Sequence, residues 1–217
     1  MKAKFFIIMA VLAVACWAPG ASATTTFGFF CITNNSAVDA ATAGQFFVDV
    51  SDPAGDHNVL FTFRNVGPAA SFIDGVYFDD GTLLGISEVN VGNVVVPGGS
   101  VAFSPLANPS DLPGRNNISP AFQTTQNFSA DNDPGAVNGV NPGEAFGIQF
   151  NLISGQGFVD TLEALANGTL RIGIHVQGFE GGGSESFVNK VPVPPTAILL
   201  GSGLLGLGLL GWRRKKK

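Results

Sequence analysis

Short runs rich in Phe and Val, alternating inward and outward residues between clusters of Gly, Pro, Asn and Asp, constrain this chain more than any other feature. A period of two puts successive side chains on opposite faces, which suits a strand buried on one side and not an amphipathic helix. Over residues 45–51, Phe46, Val48 and Val50 alternate with Phe47, Asp49 and Ser51. Residues 60–65 alternate similarly, and further strands are expected at 27–33, 72–79, 82–89, 91–96, 101–104, 145–153 and 170–179. Asp80-Gly81 between two such runs predicts a hairpin, because both residues tolerate positive φ. In the last run Leu170, Ile172, Ile174 and Val176 share one face, and Arg171, Gly173, His175 and Gln177 the other.

The remaining stretches punctuate this pattern. Residues 105–143 carry six prolines and little periodicity, so they read as surface loop with one short strand near 122–128. Asp160-Thr161-Leu162-Glu163 reads as a capping box and Gly168 as a helix stop, giving one short helix over 161–167. Gly181-Gly182-Gly183-Ser184 opens a flexible linker over 181–190. The fold class expected for residues 24–180 is all-β: a two-sheet sandwich or jelly-roll-like domain with one short helix. No internal repeat argues for a solenoid or propeller.

Both ends of the chain carry topology rather than fold. Lys2 and Lys4 precede an apolar stretch at 5–15, and Ala21 and Ala23 form a small-x-small site, so 1–23 read as a signal peptide with Thr24 the mature start. That stretch is too short to span a bilayer as a helix. Ala13-Val14-Ala15-Cys16 loosely resembles a lipoprotein processing box, the alternative at this end. At the other end, 196–212 form an uncharged run of 17 residues. As a helix it would span about 26 Å, slightly under a hydrocarbon core of about 30 Å. Arg213, Arg214, Lys215, Lys216 and Lys217 follow directly, a basic stop that holds this end in the cytoplasm. A transmembrane helix is therefore expected, with the domain outside. Ser202 and Gly206 lie four apart and would permit close helix packing.

Pro192-Val193-Pro194, the Gly- and Leu-rich run and the basic end together resemble the PEP-CTERM sorting signal of Gram-negative bacteria. The middle residue of the proline element is commonly Glu, and here it is Val193. The resemblance covers 191–217 and implies cleavage near that element by an exosortase, a membrane-embedded cysteine protease. It also implies residence at the cell surface in association with exopolysaccharide. Segments around Val76–Ile86 and Leu170–Phe179 are similar to other proteins with this tail, and bring no activity with them.

Charge and rare residues narrow what the exported part would do. Of 11 Lys and Arg, seven lie in the terminal segments, leaving four against 16 carboxylates and a formal charge of −12 for residues 24–190. Such a surface repels nucleic acid and anionic membranes. Cys31 is the one cysteine outside the signal segment, so no disulfide forms within the mature chain. Both tryptophans, Trp17 and Trp212, lie in the terminal segments, which leaves only Tyr77 and phenylalanines for stacking on sugars.

No nucleophile elbow, zinc-binding helix or phosphate loop appears. His57 sits in a turn, and His175 on a strand face would need a carboxylate partner to act as a base. The better candidate for chemistry is Ser129-Ala130-Asp131-Asn132-Asp133-Pro134-Gly135. Read as a tight loop, it would offer Asp131 and Asp133, with Glu144 from the next strand, as oxygen ligands for Ca²⁺. The same residues are also ordinary turn formers. The chain is thus expected to be a non-enzymatic, exported envelope protein, structural or adhesive, without a required cofactor. Its expected partners are the secretion translocon, signal peptidase, an exosortase and exopolysaccharide. A Ca²⁺-dependent carbohydrate-binding module and a polysaccharide hydrolase are the alternatives.

Overall fold

The computed structural model describes residues 24–36, 40–53, 57–80 and 83–191. The expected signal peptide with Ala21 and Ala23, the Pro192-Val193-Pro194 element, the apolar run and the basic stop lie outside the described residues. Among those described, no helix is long and apolar enough to cross a membrane.

The described residues are mostly β, with ten antiparallel strands and one substantial helix among them. The strands are β1 (Thr24–Cys31), β2 (Phe46–Ser51), β3 (Asn58–Asn65), β4 (Phe72–Asp79), β5 (Leu83–Val89), β6 (Phe103–Pro105), β7 (Ser129–Asn132), β8 (Glu144–Leu152), β9 (Arg171–Gln177) and β10 (Ser184–Asn189). A four-residue helix, α1 (Ala40–Ala43), precedes β2, and α2 (Phe158–Asn167) links β8 to β9.

The strands form one sheet in the order β5-β8-β3-β2-β1-β10-β9-β4-β7-β6. β1 is the fold line: Thr24 to Gly28 pair with β2, and Phe29 to Cys31 with β10. The sheet therefore bends over, and its two halves face each other across a Phe-rich core. Phe61 of β3 and Phe150 of β8 meet Phe78 of β4 with ring centroids 5.0 and 4.6 Å apart. Phe103 of β6 stacks on Phe146 of β8 at 4.0 Å. The free edges of β5 and β6 are bridged by a side chain. Asn90 donates to the Phe103 carbonyl at 2.8 Å and accepts the Phe103 N–H at 3.0 Å, completing by amide what the ladder leaves open. The sheet nearly closes.

The alternation is visible in burial. Phe46, Val48 and Val50 of β2 and Val59, Phe61 and Phe63 of β3 all face the core. β4 and β9 are buried on both faces, because the segment between β6 and β7 folds back over the outer face of their half. Ala107, Leu112 and Phe122 from that segment pack with Ile32, Tyr77 and Val188 in a second apolar cluster. Gly173 makes the fit: a Cβ there would meet Leu112 at 2.7 Å.

Five expectations change. The hairpin at Asp80 does not form, since β4 pairs with β9 and β7 while β5 pairs with β8. Both sides of β4 are occupied, so Asp80 begins a crossover instead, accepting the Leu83 N–H at 2.6 Å and donating its own N–H to Thr125. The flexible linker at 181–190 is largely β10, entered by a glycine turn in which Gly181, Gly182 and Gly183 all have positive φ. The strand expected at 91–96 shrinks to one bridge between Val94 and Ala145, and 122–128 contains none, the strand following as β7. The helix begins one turn earlier than the capping box suggested. Asp160 turns back to accept the Gly157 N–H at 2.7 Å, and Gly168 closes the helix in the left-handed region as expected.

Candidate functional site

Polar side chains converge on the outer face of β10, β9, β4 and β7, at the margin of the covering segment. His175 on β9 stands opposite Ser186 on β10. On its other side the ladder is irregular between Ile73 and Gly75, so Asp74 is the extra residue of a bulge. The bulge re-aims that side chain. Asp74 Oδ2 lies 3.2 Å from His175 Nδ1 and accepts from Gln177 Nε2 at 2.6 Å. Gly75, next along, pairs with Asp131 of β7. A Cβ at Gly75 would lie 3.0 Å from the Tyr77 hydroxyl and 3.2 Å from Asp131 Oδ1, so both oxygens converge on the space that glycine leaves.

The electrostatics follow from crowding. Burial pushes the Asp131 carboxyl above its usual range, and Asp74 adds to the shift, while the Asn108 N–H and His175 oppose it. Burial likewise raises the Tyr77 phenol, with Asp131, Asp74 and Asp111 reinforcing. Asp131 Oδ1 and Ser186 Oγ are buried and have no hydrogen-bond partner among the described residues.

Ser186, His175 and Asp74 thus lie in a row across three strands, the residue types of a hydrolytic triad. Access decides what the row can do. Ser186 is 1 % exposed, beneath its neighbours, with its N–H held by Thr33 Oγ1 at 2.8 Å. An acyl substrate must bring its carbonyl within about 3 Å of the nucleophile. No substrate reaches Ser186 in this arrangement. The row works as a polar seam in which His175 and Gln177 satisfy a carboxylate at the edge of the cover.

The expected calcium residues are not brought together. Ser129 to Asn132 are strand β7 rather than loop, and Asp131 lies in the cluster above, accepting the Asn108 N–H at 3.3 Å. Asp133 accepts from Ser104 Oγ at 2.8 Å. Glu144, buried at the start of β8, accepts from the Asn141 N–H at 2.9 Å and the Val96 N–H at 3.3 Å. Among the described residues, no three His, Cys, Asp or Glu side chains are grouped to hold a metal ion. His57 is exposed, its Nδ1 3.2 Å from the Gln156 carbonyl.

A second carboxylate stands out beside the glycine turn. Glu185 of β10 is 1 % exposed, yet it accepts from Thr33 Oγ1, from the Asn35 and Ser36 N–H groups and from Ser36 Oγ. Burial alone would raise its pKa; these hydrogen bonds outweigh it and hold the carboxyl below the usual range. Cys31 is half-buried next to it, its thiol pushed up by burial and by the Glu185 charge. Glu185 pins residues 33–36 to the sheet.

Fold and site together define a mostly β domain with one helix and a polar row buried at the margin of the covering segment. Compared with protein-family models, with curated proteins and with solved structures, the chain matches none.

Proposed function

We propose that residues 24–190 are the exported domain of a surface-sorted envelope protein, non-enzymatic and structural or adhesive, held in an exopolysaccharide matrix. In this reading the bent sheet is a jelly-roll-like sandwich of two halves sharing β1. The observation that carries the proposal is where the sheet ends beside the proline element: β10 ends at Asn189, three residues before Pro192, and its neighbour β1 is the first described strand. These two strands are neighbours, and Lys190 N–H still bonds the Gly28 carbonyl at 2.8 Å. Cuts at both junctions, after Ala23 and near Pro192, would leave every described strand in place. Signal peptidase would make the first after translocation and an exosortase the second.

The inaccessible Ser186 supports a non-enzymatic role, and a formal charge of −12 suits a soluble matrix component. Fractionation of the native host tests the proposal. The domain is expected in the matrix fraction of the intact host and in the inner membrane when the exosortase is deleted. Equal distribution in both strains would refute the sorting step, and full release into the medium of the intact host would refute matrix retention.

A further inference from the structure

We infer that, while its C-terminal segment remains attached, the domain rests one particular pole on a zwitterionic lipid surface, with Val159 and Ile153 in contact. The inference rests on the anchor reading proposed above for residues 196–212.

Strand register decides which loops share that pole. Thr24 pairs with Ser51, and Ser51 with Leu60. Asn58 pairs with Asn151, and Leu83 with Leu152. In the other half Phe29 pairs with Asn189, Val188 with Gly173, and Asp79 with Arg171. The start of β1, the end of β2 and start of β3, the end of β4 and start of β5, the whole connection through α2 and the exit at Val191 therefore gather at one pole. The opposite pole carries the end of β1 and the segments after β3, β7 and β9. Helix α2 lies at the terminus-bearing pole. Ala164 and Leu165 enter the core, while Val159 is 65 % exposed and Ile153, just before the helix, 37 %. The chain leaves beside the end of this helix, where a Cβ at Gly168 would lie 3.9 Å from Val191 Cγ2.

The tether is too short to choose another orientation. Four residues separate Val191 from Thr196, where the apolar run begins. Fully extended they bridge about 17 Å, and Pro192, Pro194 and Pro195 stiffen them. Upstream, the Lys190 bond to Gly28 allows no slack without opening the β1–β10 ladder. A domain of this length is roughly 40 Å across, so the far pole stays out of reach of the bilayer. Asp160 and Glu163 on α2 disfavour anionic headgroups, which leaves a zwitterionic surface as the fitting occupant.

The two tryptophans make the test direct, since both lie outside the domain. The full chain with Trp17→Phe is reconstituted in phosphatidylcholine vesicles containing brominated acyl chains. Quenching of Trp212 reports insertion of the anchor. In a Trp212→Phe background, Val159→Trp and, separately, Ile153→Trp report the near pole, and Val137→Trp the far one, where the native residue is 52 % exposed. The expected result is blue-shifted, quenched emission at 159 and 153 and unquenched emission at 137. Quenched Trp212 with unquenched emission at 159 and 153, or equal quenching at 137, overturns the inference and leaves the anchor standing. Unquenched Trp212 overturns both.

Discussion

Glu185 and Asp131 are both carboxylates on strands of one half-sheet, and their surroundings push them in opposite directions. Glu185 is surrounded by donors, so its folded pKa lies below its unfolded value. The stability it contributes is present above the ordinary carboxylate range, near pH 4.3, and is lost as pH falls through the lowered folded value. Glu185→Gln should cost about 2–4 kcal/mol at pH 7, because hydrogen bonds to a charged acceptor are replaced by an amide facing donors. Urea unfolding should show that difference shrinking as the wild type is acidified. Asp131 has the reverse sign. Its folded pKa is raised, so its ionisation costs stability as pH rises from the unfolded value through the folded one. Asp131→Asn should therefore stabilise the protein by about 1 kcal/mol at neutral pH, and the gain should vanish near pH 3. A melting temperature lowered by Asp131→Asn at pH 7 would contradict the assignment.

Elements were legible in the chain where one face only is buried. β2 and β3 follow the period-two reading, since their outer faces are only partly buried, and β8 follows it in its second half, its first five residues being buried on both faces. β10 was not legible, because Ser184-Glu185-Ser186 reads as linker until Thr33, Asn35 and Ser36 are known to face Glu185. The Asp80 hairpin failed for a related reason. A turn signal reports local geometry, whereas pairing depends on which edges long-range partners have already taken. The polar cluster was half legible: alternation placed His175 on the less apolar face, but the bulge that supplies Asp74 leaves no mark in the sequence. Two substitutions test the element-level account. Gly173→Ala should destabilise by about 1–3 kcal/mol, as Leu112 and the covering segment are pushed from β9. Asn90→Ala should cost about 1–2 kcal/mol and expose the edges of β5 and β6, detectable as self-association by analytical ultracentrifugation.

At the scale of the whole molecule, one pole handles the chain's traffic and the other is closed by turns. All the described strand pairing, β1 with β10 included, lies within residues 24–189. Removing residues 1–23 and 192–217 should leave the unfolding free energy unchanged within about 0.5 kcal/mol, whereas truncation before β10 should abolish cooperative unfolding. Because Asp131, Asp133 and Glu144 are engaged separately, millimolar Ca²⁺ should leave the melting temperature of the trimmed domain unmoved, since only a ligand that binds the native state raises it.

The central claim, a nearly closed β-domain set free by a cut at each end, is tested most directly by the intact mass of the protein recovered from its native host. The account predicts a chain running from Thr24 to the neighbourhood of Pro192, with or without an added anchor mass. A chain still ending at Lys217 would contradict it and make the protein a permanent membrane-anchored one.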